Sequence, residues 1–436
     1  MRNRRGYRTI KTKLKELPLL IKSFAILCII VVVRVGSSYP LPFVNTSYMK
    51  MILNMEGLAF LNSITGGSMQ QMSLFALSIS PYISASIIMQ LMTVVIQPLE
   101  EMQKDGKTGM ERYKCITRGL AITLSIIQSA AMAIGLGARG LLVSYEPKTV
   151  VAATVIWSLG AIILIGISTL IDWLEIGNGI SILLCVNILS TFPSDLMTLR
   201  DVFLYGRATA ACAVNITLIT IIFLMILAVC VILYSTQKEV PVTNSKKLLG
   251  NISRSTFPIP LNTCSVMPVI FASSIISLPL VISQFAGLAK TGIPMHIMKC
   301  LTTGEWFRIE SPIYTLGALL YFLLTTFFTY FYLDIGFNPY EIADNLKQSG
   351  ATIPGIRSGI PTAEYIQKLS TKIALIGNTI TTGLILVMHA ICNAYGIGSL
   401  SIAGTSIIIF VGVLIEEKKL ISSLRIAKCF RLQGRI

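Results

Sequence analysis

Histidine is almost missing from this 436-residue chain, which has two. A zinc centre draws three or four ligands from His, Cys and carboxylate, so two histidines and no CxxC pair exclude one. The nine cysteines fall mostly inside apolar runs and read as small packing residues, neither ligands nor disulfides. Charge is scarce too: only 13% of residues are Asp, Glu, Lys or Arg. The apolar runs are nearly bare of ionisable groups, apart from Arg34, His389 and the pair Asp172 and Glu175 at one run's end. A secondary transporter needs a coupling group near mid-membrane, and this shortage counts against one. An intramembrane enzyme needs a nucleophile with its base or a metal cluster, and the sequence offers neither. Gly106-Lys107-Thr108 could suggest a nucleotide site, but position 101, where a phosphate-binding loop needs Gly, is Glu. Any work this protein does therefore draws on a partner or a gradient. No cofactor and no metal are expected.

What is present is hydrocarbon. Hydrophobic residues make up 53% of the chain and the mean hydropathy is +0.74, the profile of a multi-spanning membrane protein. From Gly57 to Leu99 there is no charged residue at all. A span needs roughly 20 residues, and this run is about twice that. Its second part, Met72 to Ile96, reads as a full span. Its first part, Leu58 to Gln71, is broken by Thr65, Gly66, Gly67 and Ser68, which leave backbone groups that lipid cannot satisfy. That piece is expected to fold back, half-inserted, into a funnel lined by protein.

Further charge-free windows lie at 119–138, 149–171, 176–194, 208–237, 255–289, 311–333 and 373–415, the last dividing at Asn393 to Gly398. With a first span over about 18–37 they predict ten. The fold class expected is an all-α integral membrane protein with two inverted five-helix halves, 1–205 and 206–436, because an odd number of spans inverts the second half. With the N-terminus in the cytoplasm, 27 of the 36 Lys and Arg lie on the cytoplasmic side, which puts both termini there. The net charge of +16 then reflects topology and attraction to anionic lipid. The basic N-terminus leads into an apolar run with no small-residue cleavage site, so an uncleaved first span is expected. Arg34 is read as snorkelling at that span's outer end, and His389 as a packing residue. Two stretches, 237–267 and 334–371, are longer than connectivity requires and read as docking loops.

Several long strings now carry a resemblance. Pro81-Tyr82-Ile83-Ser84-Ala85-Ser86-Ile87-Ile88-Met89-Gln90-Leu91, Gly177-Asn178-Gly179-Ile180-Ser181, Pro268-Val269-Ile270-Phe271-Ala272-Ser273-Ser274, Phe337-Asn338-Pro339, Pro354-Gly355-Ile356-Arg357, Pro361-Thr362-Ala363-Glu364-Tyr365 and Gly404-Thr405-Ser406 stand in one order along the chain. In these the chain resembles the SecY family, the large subunit of the bacterial protein-conducting channel.

The resemblance implies a plug over about 58–71, with Leu58, Phe60, Leu61, Ile64, Gly66 and Gly67. It implies a constriction at Ile83, Ile87, Leu184, Ile188, Ile270 and Ile409, where flexible aliphatic side chains gasket a passing chain and a dry neck resists ions. It implies a lateral gate between spans two and three on one side and seven and eight on the other, carrying Thr93, Gln128, Ser274 and Leu278. Lys246, Lys247, Arg254 and Arg357 are the implied docking residues for the SecA ATPase and the ribosome. Implied partners also include a SecE-like and a SecG-like small subunit and preproteins with signal sequences, in a bacterial plasma membrane. The chain departs from the family at 237–267, usually dense in Arg, where only Lys238, Lys246, Lys247 and Arg254 are basic. Housekeeping and accessory channels both remain open on that ground.

Overall fold

The structure is a computed structural model and describes residues 19–53, 59–174, 177–203, 209–244, 254–261, 266–286, 293–308, 311–395 and 405–433. Helix dominates, as apolar runs without water must satisfy their backbone internally. In the first part of the chain come α1 (Leu19–Ser38), α2 (Thr46–Leu53), α3 (Ala59–Thr65), α4 (Ser68–Gln71), α5 (Ser80–Val95), α6 (Gln97–Lys104), α7 (Gly106–Gly135), α8 (Pro147–Trp173) and α9 (Gly179–Phe203). After them come α10 (Thr209–Ser235), β1 (Gln237–Asn244), β2 (Arg254–Pro260), α11 (Met267–Ala286), α12 (Ile293–Leu301), α13 (Leu316–Gly336), α14 (Pro339–Gln348), β3 (Ala351–Thr352), α15 (Ile360–Ala394) and α16 (Ile407–Gln433). Seven of these helices carry a proline in the first turn: α5, α6, α8, α11, α12, α14 and α15. Proline has no N–H to leave unpaired there and its φ is already helical.

Among the described residues six helices are long and apolar enough to cross a membrane, or seven if α5 and α6, bent by 111°, count as one span; Thr220–Ser235 and Met267–Ser283 are shorter apolar helices. Phe24, Leu27, Val31, Val32, Leu224, Leu323 and Phe327 are exposed. Together with the other outward aliphatic side chains they form a surface fit for acyl chains, and the protein is a multi-pass membrane protein. Inside, one large apolar cluster joins α1, α5, α8, α9, α10, α11, α13, α15 and α16. A second, around Trp157, Met49, Met72 and Met132, packs where α2 and α4 meet α7 and α8.

Two lysine ammoniums tie helix ends together, Lys22 buried and Lys419 at the surface. Lys22 Nζ on α1 donates to Leu174 O at the end of α8, at 2.8 Å. Lys419 Nζ on α16 donates to Tyr234 O at the end of α10, at 3.0 Å. A cation suits a helix C-terminus because the last carbonyls are unpaired and carry partial negative charge.

Several sequence expectations are corrected. Residues 72–96 are not one helix: 72–79 form successive turns, with Met72 and Ser78 at φ 48° and 49°, and α5 begins only at Ser80. The turns are wedged between helices. A Cβ at Gly160 on α8 would lie 2.0 Å from Leu74 O, and one at Gly36 on α1 would lie 2.4 Å from the Phe75 ring. Those two glycines make the slot that the turn fills. Residues 100–118, a charged stretch between apolar runs, are helical and belong to α6 and the start of α7.

Nor are 237–267 and 334–371 open loops. β1 pairs antiparallel with β2 from Gln237↔Pro260 to Thr243↔Arg254, and with β3 at Thr243↔Thr352 and Asn244↔Ala351, giving the order β2-β1-β3. α14 is capped by the Asn338 side chain, which accepts from the Tyr340 and Glu341 amides. Val240, Ile259, Ile353, Ile366 and Ile373 form a separate small core beneath the sheet. Burial of these aliphatics is what turns the two stretches into one structured platform.

Candidate functional site

The chain after α3 turns back at Gly66 and Gly67, with φ 64° and 78°. Gly67 N–H bonds to Asn62 O and Gly66 N–H to Ser63 O. This pair of bonds is a Schellman closure, which needs the left-handed conformation that glycine takes without strain. It ends α3 deep in the protein: Ile64, Thr65, Ser68 and Met69 are buried. Leu58 lies outside the described residues, as does the side chain of Phe60.

Polar groups from two other helices close on this turn. Arg34 Nη2 donates to Gly66 O at 3.0 Å, and Ser190 Oγ stands 3.0 Å from the same oxygen. Asn187 Nδ2 donates to Ile64 O and to Ser78 Oγ, both at 2.8 Å, while its Oδ1 is 3.4 Å from Arg34 Nη1. Arg34 therefore does not snorkel outward. Its guanidinium turns inward because the 59–71 turn offers a carbonyl that no helix bond satisfies. Sequence reasoning passed over Asn187, Ser190 and Ser78; an Asn in the middle of an apolar run was the available signal.

The six aliphatic positions come together. Ile83 and Ile87 on α5, Leu184 and Ile188 on α9, Ile270 on α11 and Ile409 on α16 are all buried in the large cluster, and Ile64 of the 59–71 segment belongs to it too. Two cavities lie beside them. One, of about 250 Å³, is lined by Ile83, Leu184 and Ile270 together with polar groups such as Gln90, Tyr113 and Asn178. The other, of about 270 Å³, is lined by Ile83 with Leu61, Ile64, Thr65 and Met69. Ile83 thus stands in both walls.

The second cavity also takes in Gln128 of α7 and Ser274 and Leu278 of α11. Three of the four gate positions therefore share one seam, between α7 and α11. Thr93 is apart from them: its hydroxyl donates to Met89 O at 2.8 Å and lies 3.5 Å from the Tyr113 hydroxyl. A polar contact that the sequence did not suggest crosses between α5 and α13, where the Tyr332 hydroxyl donates to Gln90 Oε1.

Arg357 is exposed in the turn from β3 to α15, between Gly355 at φ 81° and Gly359 at φ 103°. Lys246 and Lys247 lie outside the described residues, and so does the side chain of Arg254, which opens β2. Glu417, past the apolar part of α16, accepts from the Asn178 amide at 3.0 Å. Burial pushes its carboxyl above the ordinary range, against the pull of that amide. On the same turn Asp172 Oδ1 accepts from Gly179 N–H at 2.8 Å and Oδ2 lies 3.7 Å from Arg118. No group of three metal-ligating side chains occurs among the described residues.

Comparison with known proteins gives a consistent answer. The SecY family model matches residues 73–417. Protein translocase subunit SecY of Streptomyces galbus is 35% identical over 417 residues, covering 91% of this chain and 92% of that protein. A solved structure described as a protein-conducting channel superposes with a TM-score of 0.66 at 18% identity, over 92% of this chain and 91% of that one. Another, from work on how the plug domain of the SecY protein stabilizes the closed state and maintains a membrane seal, gives 0.64 at 18% identity over 92% and 91%.

Proposed function

The chain belongs to the SecY family, and from that premise we propose that it is the pore-forming subunit of a protein-conducting channel. It passes unfolded preproteins across the plasma membrane and releases apolar segments sideways into lipid. In this reading ten spans form two inverted halves, 1–205 and 206–436, with both termini in the cytoplasm. The observation that carries it is the meeting of aliphatic side chains from α5, α9, α11 and α16 with Ile64 of a segment folded into the protein's interior.

Ile83, Ile87, Leu184, Ile188, Ile270 and Ile409 then form the constriction, and 58–71 is the plug beneath it. An aliphatic neck binds no cargo tightly and excludes water when narrow, so it suits chains of any sequence. The α7–α11 seam, with Gln128, Ser274 and Leu278, is the way into lipid, and Thr93 supports it from within α5. The sheet platform and Arg357 dock the motor, SecA or a ribosome. Lys246, Lys247 and Arg254 add basic charge to that face, where phosphate-rich RNA is attracted. Small SecE-like and SecG-like subunits and anionic lipid complete the surroundings.

A stalled translocation intermediate tests this. Cysteines placed at Ile83, Ile188 or Ile409 should crosslink to the arrested chain, and one at the exposed Phe327 should not. Crosslinks confined to outward positions such as Phe327 would overturn the reading.

A further inference from the structure

Asn187 is 3% exposed in the middle of an apolar helix. There an amide is costly unless every polar atom is paired. Both donors and the oxygen are engaged, and none of them on its own helix. Both N–H donors go to Ile64 O and Ser78 Oγ, and its oxygen faces Arg34. Gly66 O accepts from Arg34 at 3.0 Å, and the Ser190 hydroxyl is shared between it, at 3.0 Å, and Asn187 O, at 2.7 Å. The seat admits no side chain at 66: a Cβ there would lie 2.8 Å from Arg34 Nη1 and from Ser190 Oγ, and 2.9 Å from Asn187 Cα. Asn187 also stands next to Ile188 and one turn after Leu184, two positions of the constriction. A chain that pushes those two side chains outward therefore moves the helix from which the segment hangs.

We propose that Asn187, with Arg34 and Ser190, is a latch that sets how readily the 59–71 segment leaves its seat, and so how strictly the channel rejects chains with a defective signal sequence. The latch rests on the reading of 58–71 as a plug. It assigns selectivity to hydrogen bonds made to the segment's backbone carbonyls, which any plug sequence presents, and not to the aliphatic ring alone. Opening must break all of these bonds at once, so each latch group contributes to the closed population.

The test uses the full channel with its companion subunits in planar bilayers, and in cells a reporter whose signal sequence is crippled. Asn187→Leu keeps the volume and removes both donors. It should raise idle ion conductance and reporter export by about fivefold to tenfold, the range of one or two lost hydrogen bonds. Arg34→Gln should act in the same direction, and Ser190→Ala more weakly. Deletion of 58–71 is the reference. If the deletion raises conductance while Asn187→Leu and Ser190→Ala, present at normal levels in the membrane, do not, the latch is wrong and the plug stands. If the deletion itself changes nothing, the plug reading fails and the latch with it. Should Asn187→Leu not accumulate, Asn187→Ser and Ser190→Ala decide alone, and wild-type conductance in both overturns the latch.

Discussion

The amide of Asn187 donates to the carbonyl of Ile64 at 2.8 Å, across 123 positions of chain. The helix that presents Leu184 and Ile188 to the interior thereby also holds the end of α3. Motion of one is motion of the other, and several outcomes can be stated from that geometry.

Gly66→Ala tests the seat. A methyl group there meets Arg34, Ser190 and Asn187 at under 3 Å, and φ is 64°. The left-handed conformation alone costs an L-residue about 1–2 kcal/mol. The segment should be displaced and idle-channel conductance should rise, with helix content by circular dichroism unchanged. A variant as tight as wild type would mean the turn repacks without leaving.

Tyr332→Phe removes the hydroxyl that reaches Gln90 between α13 and α5. Interhelical hydrogen bonds of this kind contribute about 0.6 kcal/mol, so the effect is roughly threefold. A reporter segment of marginal hydrophobicity should partition into lipid more often. Integration equal to wild type would remove this bond from the gate.

Glu417→Gln addresses pH. Burial raises the Glu417 carboxyl, so the folded state holds its proton more tightly than the unfolded chain does. Its favourable contribution is present below the ordinary carboxylate pKa and is lost as pH rises through the raised value. The amide variant should therefore match wild type in melting temperature at low pH and equal or exceed it at neutral pH. A variant less stable only at neutral pH would show the ionised carboxylate to be the favoured form.

Arg357→Glu reverses the exposed charge between Gly355 and Gly359. Surface substitutions of this kind shift stability by about 0.5 kcal/mol or less. The melting temperature should hold while motor-driven export falls several-fold. Undiminished export would move docking to another part of the sheet platform.

Much of this fold is legible in the sequence because its signal is local. A long apolar run without charge favours helix in a membrane, where the backbone must satisfy itself. Gly66-Gly67 marks a break wherever it occurs. The aliphatic positions were found by resemblance and not by pattern, since an isoleucine facing a constriction and one facing a neighbouring helix look alike. What the sequence hides is pairing at a distance. Gln90 and Tyr332 are 242 positions apart, Thr243 and Thr352 are 109 apart, and nothing in either stretch names its partner. The turn at 72–79 was read as helix because its composition is apolar. Its shape depends on Gly36 and Gly160, which lie on other helices.

By itself the sequence determined that this chain lives in a membrane and that the run after Gly57 breaks at Gly66-Gly67, because hydration cost acts residue by residue along the chain. The tertiary structure alone decided which polar groups are satisfied by whom: that Arg34 turns inward, that Asn187 donates to the Ile64 carbonyl and the Ser78 hydroxyl, and that Lys22 and Lys419 close the ends of α8 and α10. A hydrogen bond needs its two atoms within about 3 Å, and only the packed bundle brings such distant residues that close.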